Sequence, residues 1–494
     1  MTMKYDVIAV GSGLGGLECA SILSRSGLSV LVLEKGAQAG GCMQSYCRRG
    51  MWYDTGFHYV GGLGEGQSLY APFRYLGLLD LPWKRLDFCF DRISVGGRNF
   101  VFAEGFDEFA RMLAEDFPAE RSALCEYASL LRRAGEERFL SPGMSAGEAD
   151  LLSPMSGVGA YSYLSEKFRN PLLVDVLSGA SLKMELRKES LPLFTFVHGN
   201  SSFIESSWRL KGDSSLIVRS LADTIRSYGG EIICRSEVVE LVEKGGKLVQ
   251  AVCSDGRVYE GNVFVSDVHP AITCGWVKRS ERIKKVFRSR IGRLENTFGM
   301  CTVSLCIKPH ALRYFNWNHY VYSRPGVWTF YQEAEVVGGV LVSCRVPEDG
   351  SGYARQVDLL TPMNWGQCER WTDTVVGHRG EEYLRLKERM ANECIALADE
   401  VIPGLRDMVE GCYVSTPLTY RDYTSVPEGS AYGVRKDFNA PLMTMLSPRT
   451  PVPNLLLTGQ NLMLHGLHGV TMTALLTCAE IIGREELRKL VFRS

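Results

Sequence analysis

The hydrophobic pattern at the start of the chain predicts a strand, a helix and a second strand. Residues 5–10 form a short apolar run that ends at a glycine-rich turn, which is typical of a fully buried parallel strand. Residues 14–26 can form a helix that Gly27 terminates, and residues 29–33 are a second buried apolar run. Together these segments predict a βαβ unit within about 30 residues.

A second region with clear patterning lies in the middle of the chain. Residues 211–232 have the pattern of a turn, an amphipathic helix with a glycine stop, and a strand, and Asp213 and Ser214 are candidate N-caps. Gly245-Gly246 and Asp255-Gly256 then separate three short strand-like runs, as hairpin turns do. The sequence therefore predicts a ribbon of three strands after this helix.

Residues 76–205 have a different character. Amphipathic stretches at 107–116 and 119–137 predict helices, and proline and glycine residues break the pattern near 142–157. We therefore expect this segment to be rich in helices.

Residues 276–450 mix both kinds of pattern. Strands are predicted at 297–307 and 338–345, and a long helix is predicted at 381–400. The aromatic residues of 314–331 alternate as in ordinary strands and core, although they are also candidates to line an apolar tunnel.

The composition is that of an ordinary globular protein. The chain has 494 residues, 45% apolar and 22% charged, and this length favours two domains or one domain with a large insertion. Its formal net charge of −1 provides no basic excess for nucleic acid. The 15 cysteines are scattered and odd in number, which predicts buried, reduced thiols in a cytosolic protein. No cluster of His, Cys, Asp and Glu has metal-ligand spacing, so we expect no metal.

The sequence also predicts neither a signal peptide nor a membrane span. The N-terminus lacks the charged start, apolar run and cleavage site of a signal peptide. The stretch between Arg449 and Glu480 has no charged residue, but prolines, glycines, asparagines and histidines interrupt it. A spanning helix needs about 20 mostly apolar residues in a row. We therefore expect a cytoplasmic protein.

The turn after the first strand, GSGLGG, fits the dinucleotide fingerprint G-x-G-x-x-G in its proper context. Gly11 permits the tight turn, Gly13 allows close approach of a pyrophosphate, and Gly16 allows the helix to pack near the strand. The helix N-terminus attracts phosphate, and Glu34, after the second strand, can accept hydrogen bonds from a ribose hydroxyl. These residues leave FAD and NAD open, although a single fingerprint argues against a separate nicotinamide-binding domain.

Five sequence blocks extend from one end of the chain to the other: residues 5–16 with GSGLGG, LVLEKGAQAGGCMQS, DTGFHYVGG, STPLTYRDYTSVPEGSAYG, and NLLLTGQNLMLHGLHGVTMTALLTCAEIIG. Together they resemble the family of phytoene desaturases, carotenoid isomerases and all-trans-retinol 13,14-reductases, which are flavoproteins. The resemblance covers essentially the whole chain and is most specific at the two termini.

The resemblance implies that FAD is the cofactor and that residues from several parts of the chain bind it. The diphosphate would contact Gly11, Gly13, Leu14, Gly15 and Gly16, and the adenosine ribose would contact Glu34 and Lys35. The flavin would lie near Gly41, Cys42, Met43 and His58, and the adenine near Val238. Gly459 and Gln460 would contact the ribityl chain and diphosphate, and Gly469 and Val470 would open a helix aimed at the flavin. Gln460 departs from the acidic residue that many related flavoproteins carry there.

The fold implied is α/β, with a discontinuous Rossmann-type FAD-binding domain and an inserted α+β substrate domain. We assign residues 1–75, 206–275 and 446–494 to the FAD-binding domain. Residues 76–205 and 276–445 are assigned to the substrate-binding domain.

The activity implied is an oxidoreductase reaction at carbon–carbon double bonds of a long apolar, carotenoid-like or retinoid-like lipid. Saturation, desaturation and flavin-assisted isomerisation all remain open, as does the electron donor or acceptor. His465, His468 and Tyr432 are candidate proton donors, and the alternative is that they bond backbone or pack in the core.

Two other functions remain open: an amine-oxidase-like flavoenzyme and a non-catalytic, flavin-bound lipid carrier. An apolar substrate also implies peripheral contact with a membrane. Residues 194–203 and the helices near 150–180 are candidates for that contact.

Overall fold

The computed structural model describes residues 4–136, 153–332 and 336–492. Its strands, in chain order, are β1 (Lys4–Val10), β2 (Val30–Leu33), β3 (Ser45–Arg48), β4 (Met51–Asp54), β5 (Val60–Gly61), β6 (Trp83–Arg85), β7 (Cys89–Val95), β8 (Arg98–Ala103), β9 (Ser207–Leu210), β10 (Glu231–Ile233), β11 (Val238–Lys244), β12 (Lys247–Cys253), β13 (Val258–Ser266), β14 (Gly299–Ile307), β15 (Asn318–Tyr322), β16 (Gly339–Cys344), β17 (Gln356–Met363), β18 (Val409–Ser415) and β19 (Leu455–Leu457). Its α-helices are α1 (Leu14–Arg25), α2 (Tyr70–Leu76), α3 (Phe106–Asp116), α4 (Arg121–Glu136), α5 (Ala160–Lys167), α6 (Pro171–Gly179), α7 (Leu193–Glu205), α8 (Ser215–Ser227), α9 (Pro270–Trp276), α10 (Lys285–Gly292), α11 (Glu381–Asp399), α12 (Leu405–Met408), α13 (Pro417–Thr424), α14 (Pro441–Thr444), α15 (Gly466–Ile482) and α16 (Arg484–Phe492).

The first sheet contains the parallel strands β10, β2, β1, β13 and β19. On its outer edge β13 pairs first with the antiparallel strand β12 and then, over its last residues, with β19. The strands β11, β12 and β13 form the predicted ribbon, whose first turn is made by Gly245 and Gly246 at positive φ. This mostly parallel sheet confirms the predicted Rossmann-type fold class.

Both faces of the first sheet are buried, which explains why its strands are continuous apolar runs. Along β1, Val7 and Ala9 face the core beneath α1, α8 and α15. The alternate residues Ile8 and Val10 face a second core that the ribbon covers. The alternation follows from the two-residue period of a strand.

The second sheet has the order β18, β14, β17, β16, β15, β7 and β8. Neighbouring strands are antiparallel except for β15 and β7. Helix α11 covers one face through buried residues that include Cys394 and Ala398, four positions apart. The opposite face packs against the helices of residues 106–205. As a result, Leu359 and Leu360 of β17 lie in different cores.

The described part of residues 76–205 contains α3 to α7 and is rich in helices, as expected, and it also contributes β6, β7 and β8, which the sequence analysis did not predict. Gly96 and Gly97 both adopt positive φ and turn the chain between β7 and β8, which then pair as a hairpin. Within 314–331, only β15 is a strand. Of the breaks predicted near 142–157, residues 142–152 lie outside the described residues, and residues 154–157 form a 3-10 turn.

Residues 194–203 are not a membrane-contacting surface. They lie within α7, where Phe194 and Phe196 are buried and where most neighbouring side chains are buried as well. Among the described residues, no helix combines the length and apolar character needed to cross a membrane.

All the cysteines are free thiols.

The first sheet draws on residues 4–33, 231–266 and 455–457, and the second on residues 89–103, 299–363 and 409–415. A small third sheet has the order β5, β9, β6. The residue boundaries of the two domains stay a prediction.

Candidate active site

A cavity of about 590 Å³ extends from the first sheet to the second. At one end it is lined by the glycine-rich turn after β1 and by the first residues of β11. At the other end it reaches Met300, Leu341 and Leu360, on neighbouring strands of the second sheet. The carboxyl ends of parallel strands open here, which is where α/β sheets bind ligands.

The glycine turn has the close contacts that the fingerprint predicts. A Cβ on Gly16 would lie 2.2 Å from the carbonyl oxygen of Gly11, so only glycine allows α1 to start this close to the strand. Helix α1 begins without a side-chain cap and without an acidic residue in its first turn. Its first N–H groups can therefore donate to an anion such as a diphosphate. Gly11, Gly13, Leu14 and Gly15 line the cavity, whereas Gly16 lies behind its wall.

Glu34 lines the cavity but already has several donors. Its Oε2 accepts hydrogen bonds from the N–H and hydroxyl of Ser12, at 3.0 and 2.5 Å. Its Oε1 accepts one from the N–H of Gly36 at 2.7 Å. The carboxylate thus holds the glycine turn in place, in addition to the ribose contact predicted for it. Lys35, also on the cavity, donates to the hydroxyl of Ser425.

Asp267 is a candidate site residue that the sequence analysis missed. It follows β13 at the carboxyl edge of the sheet, lines the cavity, and accepts a backbone hydrogen bond from Gly16. A Cβ on Gly13 would lie 2.3 Å from its Oδ2, and one on Gly459 would lie 2.1 Å from its Oδ1. Burial, with a smaller contribution from Glu34, raises the pKa of Asp267 to about 7. The sequence signal that could have identified Asp267 is an acidic residue directly after a buried strand.

The residues predicted to lie near the flavin form the middle of the cavity wall. Gly41, Cys42 and Met43 make a 3-10 turn and line the cavity together with His58. Val238 lines the end of the cavity that also holds the glycine-rich turn. Burial raises the pKa of the Cys42 thiol to about 11, so this thiol is protonated at neutral pH.

The loop after β19 lies on the other side of the cavity. Gln460 lines it, whereas Gly459 lies behind the wall with a φ of 85° and supports the loop through its contact with Asp267. The side chain that follows, Asn461, accepts a hydrogen bond from the N–H of Val434 at 3.2 Å.

The last long helix begins earlier than predicted. Helix α15 starts at Gly466, so His465 is its N-cap residue and His468 lies in its first turn, rather than in a loop. Gly469 and Val470 lie one turn further on, not at the start, and both line the cavity. The helix starts early because Gly466, at a φ of 71°, changes the direction of the chain immediately after His465.

The three candidate proton donors all line the cavity. His465 donates through Nε2 to the carbonyl oxygen of Lys183 at 2.9 Å, and Tyr432 donates to the carbonyl oxygen of Leu182 at 2.5 Å. Burial lowers the pKa of His465 to about 4 and that of His468 to about 3. Burial also raises the pKa of Tyr432 well above its usual range. At neutral pH both imidazoles are therefore uncharged and the phenol is protonated.

A second polar group that the sequence analysis missed lies near the second sheet. The Nζ of Lys183 is 3.5 Å from the hydroxyl of Tyr59, which donates to Asp91 Oδ2 at 3.1 Å. Lys183 and Tyr59 line the cavity, whereas Asp91 is fully buried behind them. Burial lowers the pKa of Lys183 to about 8 and raises that of Asp91. Neither lysine nor aspartate lies in a recognisable motif, so no local signal marked the pair.

Within the described residues, no group of three or more His, Cys, Asp or Glu side chains is arranged to hold a metal ion. The cavity therefore offers an anion site at its nucleotide end, an apolar wall at the opposite end, and one lysine between them. Such an arrangement can bind a dinucleotide whose reactive ring faces an apolar molecule.

The chain is similar to known proteins in both sequence and structure. The sequence profile described as flavin containing amine oxidoreductase matches residues 14–268. The all-trans-retinol 13,14-reductase of Homo sapiens is 25% identical over 533 residues, covering 97% of this chain and 86% of that protein. The chloroplastic prolycopene isomerase of Daucus carota is 23% identical over 460 residues, covering 87% and 72%. Among solved structures, a putrescine oxidase superposes with a TM-score of 0.63 at 15% identity, covering 98% of this chain and all of that one.

Proposed function

We propose, from the premise that the chain belongs to the family of flavin-containing amine oxidoreductases, that it uses FAD to saturate a carbon–carbon double bond of a long apolar polyene. The chain is an FAD-dependent oxidoreductase of this family. The substrate class and the direction of the reaction are the parts proposed here.

The cavity fits FAD. The free N–H groups at the start of α1 suit the diphosphate. Gly13 and Gly15 line the cavity without a side chain, and a Cβ at either position would collide with Asp267. Glu34 lies where the adenosine ribose would bind, and Val238 where the adenine would. We assign the flavin to the wall formed by residues 41–43, with the first turn of α15 opposite.

When bound, FAD supplies the hydride chemistry. The chain orients the substrate, excludes water and supplies protons. The N–H groups at the start of α15 favour negative charge nearby, because the positive end of the helix dipole lies there.

The observation that carries the proposal is the distribution of charge along the cavity. Among the described residues that line it, the acidic ones are Glu34, Glu237 and Asp267, and all three lie at the nucleotide end. The substrate end has apolar walls, and the one cation that adjoins it is Lys183, which lies between the two ends. An ammonium substrate would meet a positive charge there, whereas an uncharged hydrocarbon chain would find apolar contacts.

The similarity to all-trans-retinol 13,14-reductases over nearly the whole chain supports the same substrate class and favours saturation. Desaturation, isomerisation, amine oxidation and a carrier role are the alternatives. We also propose that a separate electron donor reduces the flavin and that the protein contacts a membrane surface peripherally.

Anaerobic spectroscopy of the purified holoprotein tests this function. The flavin is reduced with a stoichiometric amount of dithionite and then mixed with all-trans-retinol, prolycopene or putrescine. Saturation predicts that all-trans-retinol restores the absorption of oxidised flavin and leaves a product with two more hydrogen atoms.

Each alternative has a distinct result. A parallel sample keeps the flavin oxidised. Its bleaching by a polyene indicates desaturation, and its bleaching by putrescine indicates amine oxidation. Conversion of prolycopene without a net change in flavin absorption indicates isomerisation. A protein that binds FAD and retinol but changes neither is a carrier. Any of these results overturns saturation.

A further inference from the structure

We propose that Lys183 is the catalytic residue that donates the proton to the polyene, and that Tyr59 and Asp91 are the positioning residues that hold its ammonium group on the cavity wall. This inference rests on the proposed saturation, because reduction of an isolated double bond requires a proton as well as a hydride.

Lys183 lies between the two ends of the cavity. It belongs to the connection between α6 and α7, and its side chain lies on the cavity wall with Nζ 4.0 Å from the ring centroid of Phe203. Its carbonyl oxygen accepts the hydrogen bond from His465, the N-cap of α15. The lysine is thus tethered to the helix whose N-terminus borders the flavin site.

Tyr59 lies between the ammonium group and a buried carboxylate. Its hydroxyl is 3.5 Å from Lys183 Nζ and 3.1 Å from Asp91 Oδ2. It also shares a 2.7 Å hydrogen bond with the hydroxyl of Tyr320. The phenol can therefore accept from the ammonium and donate to the carboxylate, which fixes the direction of the Nζ–H bonds.

Asp91 is held in place from the other side. The side-chain amide of Asn318 donates to Asp91 Oδ1 at 2.9 Å, and Arg209 donates to Asn318 Oδ1 at 2.7 Å. The charged and titratable groups around the ammonium are therefore Asp91 on β7, Arg209 on β9, Tyr59, and Tyr320 on β15. The buried carboxylate keeps a cation at this position despite its removal from water.

The three proton donors predicted from the sequence are less suited to the role than Lys183. His465 and His468 are neutral at pH 7 because burial lowers their pKa values, and the Tyr432 proton is committed to the carbonyl oxygen of Leu182. Burial lowers the pKa of Lys183 to about 8, so its ammonium form predominates at pH 7 and yields a proton more readily than an ordinary lysine.

Saturation of one double bond needs one hydride and one proton. A hydride, which reduced FAD would supply as the two-electron reductant when bound, adds to one carbon of the double bond. The other carbon takes a proton from Lys183 Nζ, so one π bond is lost and two C–H bonds form. Lys183 is left as a neutral amine and regains its proton from solvent before the next turnover.

The variant Lys183→Met tests the donor role, with Lys188→Met as the matched control. Lys188 lies five positions along the chain, 4.3 Å from the ring centroid of Tyr161 and away from the cavity lining. Each holoprotein is reduced anaerobically and mixed with all-trans-retinol. We expect Lys183→Met to slow reoxidation of the flavin by about 100-fold or more, since general acids contribute about 10²–10⁴-fold. Lys188→Met should react like the wild type.

A readout other than turnover tests the state of the lysine itself. Lysines of the FAD-bound protein are dimethylated with ¹³C-formaldehyde, and the Lys183 signal is identified by its absence in Lys183→Met. Its NMR shift should titrate with a midpoint near 8, whereas a midpoint near the ordinary 10.5 would overturn the inference.

The outcomes separate this inference from the proposed function. If the wild type and Lys183→Met reoxidise at the same rate, saturation stands and the role of Lys183 is wrong. If no polyene reoxidises the wild-type flavin, saturation itself is wrong and the proton step falls with it. Equal FAD content and circular dichroism in both variants establish that the comparison is between folded proteins.

Discussion

Thr471 donates a 2.8 Å hydrogen bond to Oε1 of Glu18, and this bond joins α1 to α15. Both side chains are buried, and the second carboxyl oxygen of Glu18 has no hydrogen-bond partner among the described residues. Burial, opposed in part by the Thr471 hydrogen bond, raises the pKa of Glu18 from 4.5 to about 8. The two helices that flank the nucleotide site are therefore held together by a carboxyl group that is protonated at neutral pH.

The first prediction concerns stability against pH. A carboxyl whose pKa is raised on folding stabilises the fold fully below its unfolded pKa of 4.5, and this stabilisation is lost as the pH rises through 8. Glu18→Gln keeps the shape and the acceptor but cannot ionise. Between about pH 5 and about pH 8.5 the wild type should lose on the order of 4 kcal/mol relative to the variant. Urea unfolding at both pH values measures the difference.

The control for that experiment is Glu166→Gln, an exposed carboxyl on α5. It should leave the pH dependence of unfolding unchanged. A wild-type protein and a Glu18→Gln variant with parallel stability curves would contradict a protonated Glu18.

The second prediction concerns FAD affinity. The Asp267 carboxyl lies at the start of α1, where the FAD diphosphate would bind, and its pKa is about 7. Two anions at one helix N-terminus repel each other, so FAD should bind with Asp267 protonated. The dissociation constant of FAD should rise by up to about tenfold per pH unit above 7 in the wild type and stay flat in Asp267→Asn. Flavin fluorescence titration of the apoprotein measures both, and equal slopes would refute the linkage.

The third prediction concerns the glycine turn. Gly16→Ala places a methyl group 2.2 Å from the backbone oxygen of Gly11, and a backbone atom cannot move aside easily. The variant should lose about 1–3 kcal/mol of stability and retain less FAD after gel filtration. Gly275→Ala is the control, because its Cβ would meet no atom within 4 Å in α9. Similar FAD retention in the two variants would show that the turn tolerates a side chain.

The fourth prediction concerns the substrate end of the cavity. Leu360 on β17 faces the cavity, so Leu360→Trp should fill space that the polyene needs. The KM for all-trans-retinol should rise by about tenfold or more, while FAD affinity stays unchanged because the nucleotide end lies elsewhere. Leu360→Met conserves volume and should behave like the wild type. A Leu360→Trp enzyme with the wild-type KM would place the polyene at another part of the cavity.

Local sequence pattern predicted the elements around the glycine-rich end of the cavity. The fingerprint residues Gly11 and Gly13, the strand on either side of α1, and the hairpin turn at Gly245-Gly246 were all predicted. Each depends on neighbouring residues: apolar runs bury strands, and glycines adopt positive φ or allow close approach. The β7–β8 hairpin was missed although Gly96-Gly97 marks its turn, because the helical pattern of the residues that follow dominated the interpretation of this segment.

The sequence by itself therefore determined the Rossmann-type fold class, the family and the position of the glycine-rich turn after β1. Only the tertiary structure brought Asp91 to Tyr59 and Lys183 to the cavity, across separations of 32 and 124 positions in the chain. It also determined that His465 and His468 are neutral, since that depends on burial. Pairing and burial arise from the packing of distant segments, and a pKa reflects the surroundings of a group rather than its neighbours in sequence.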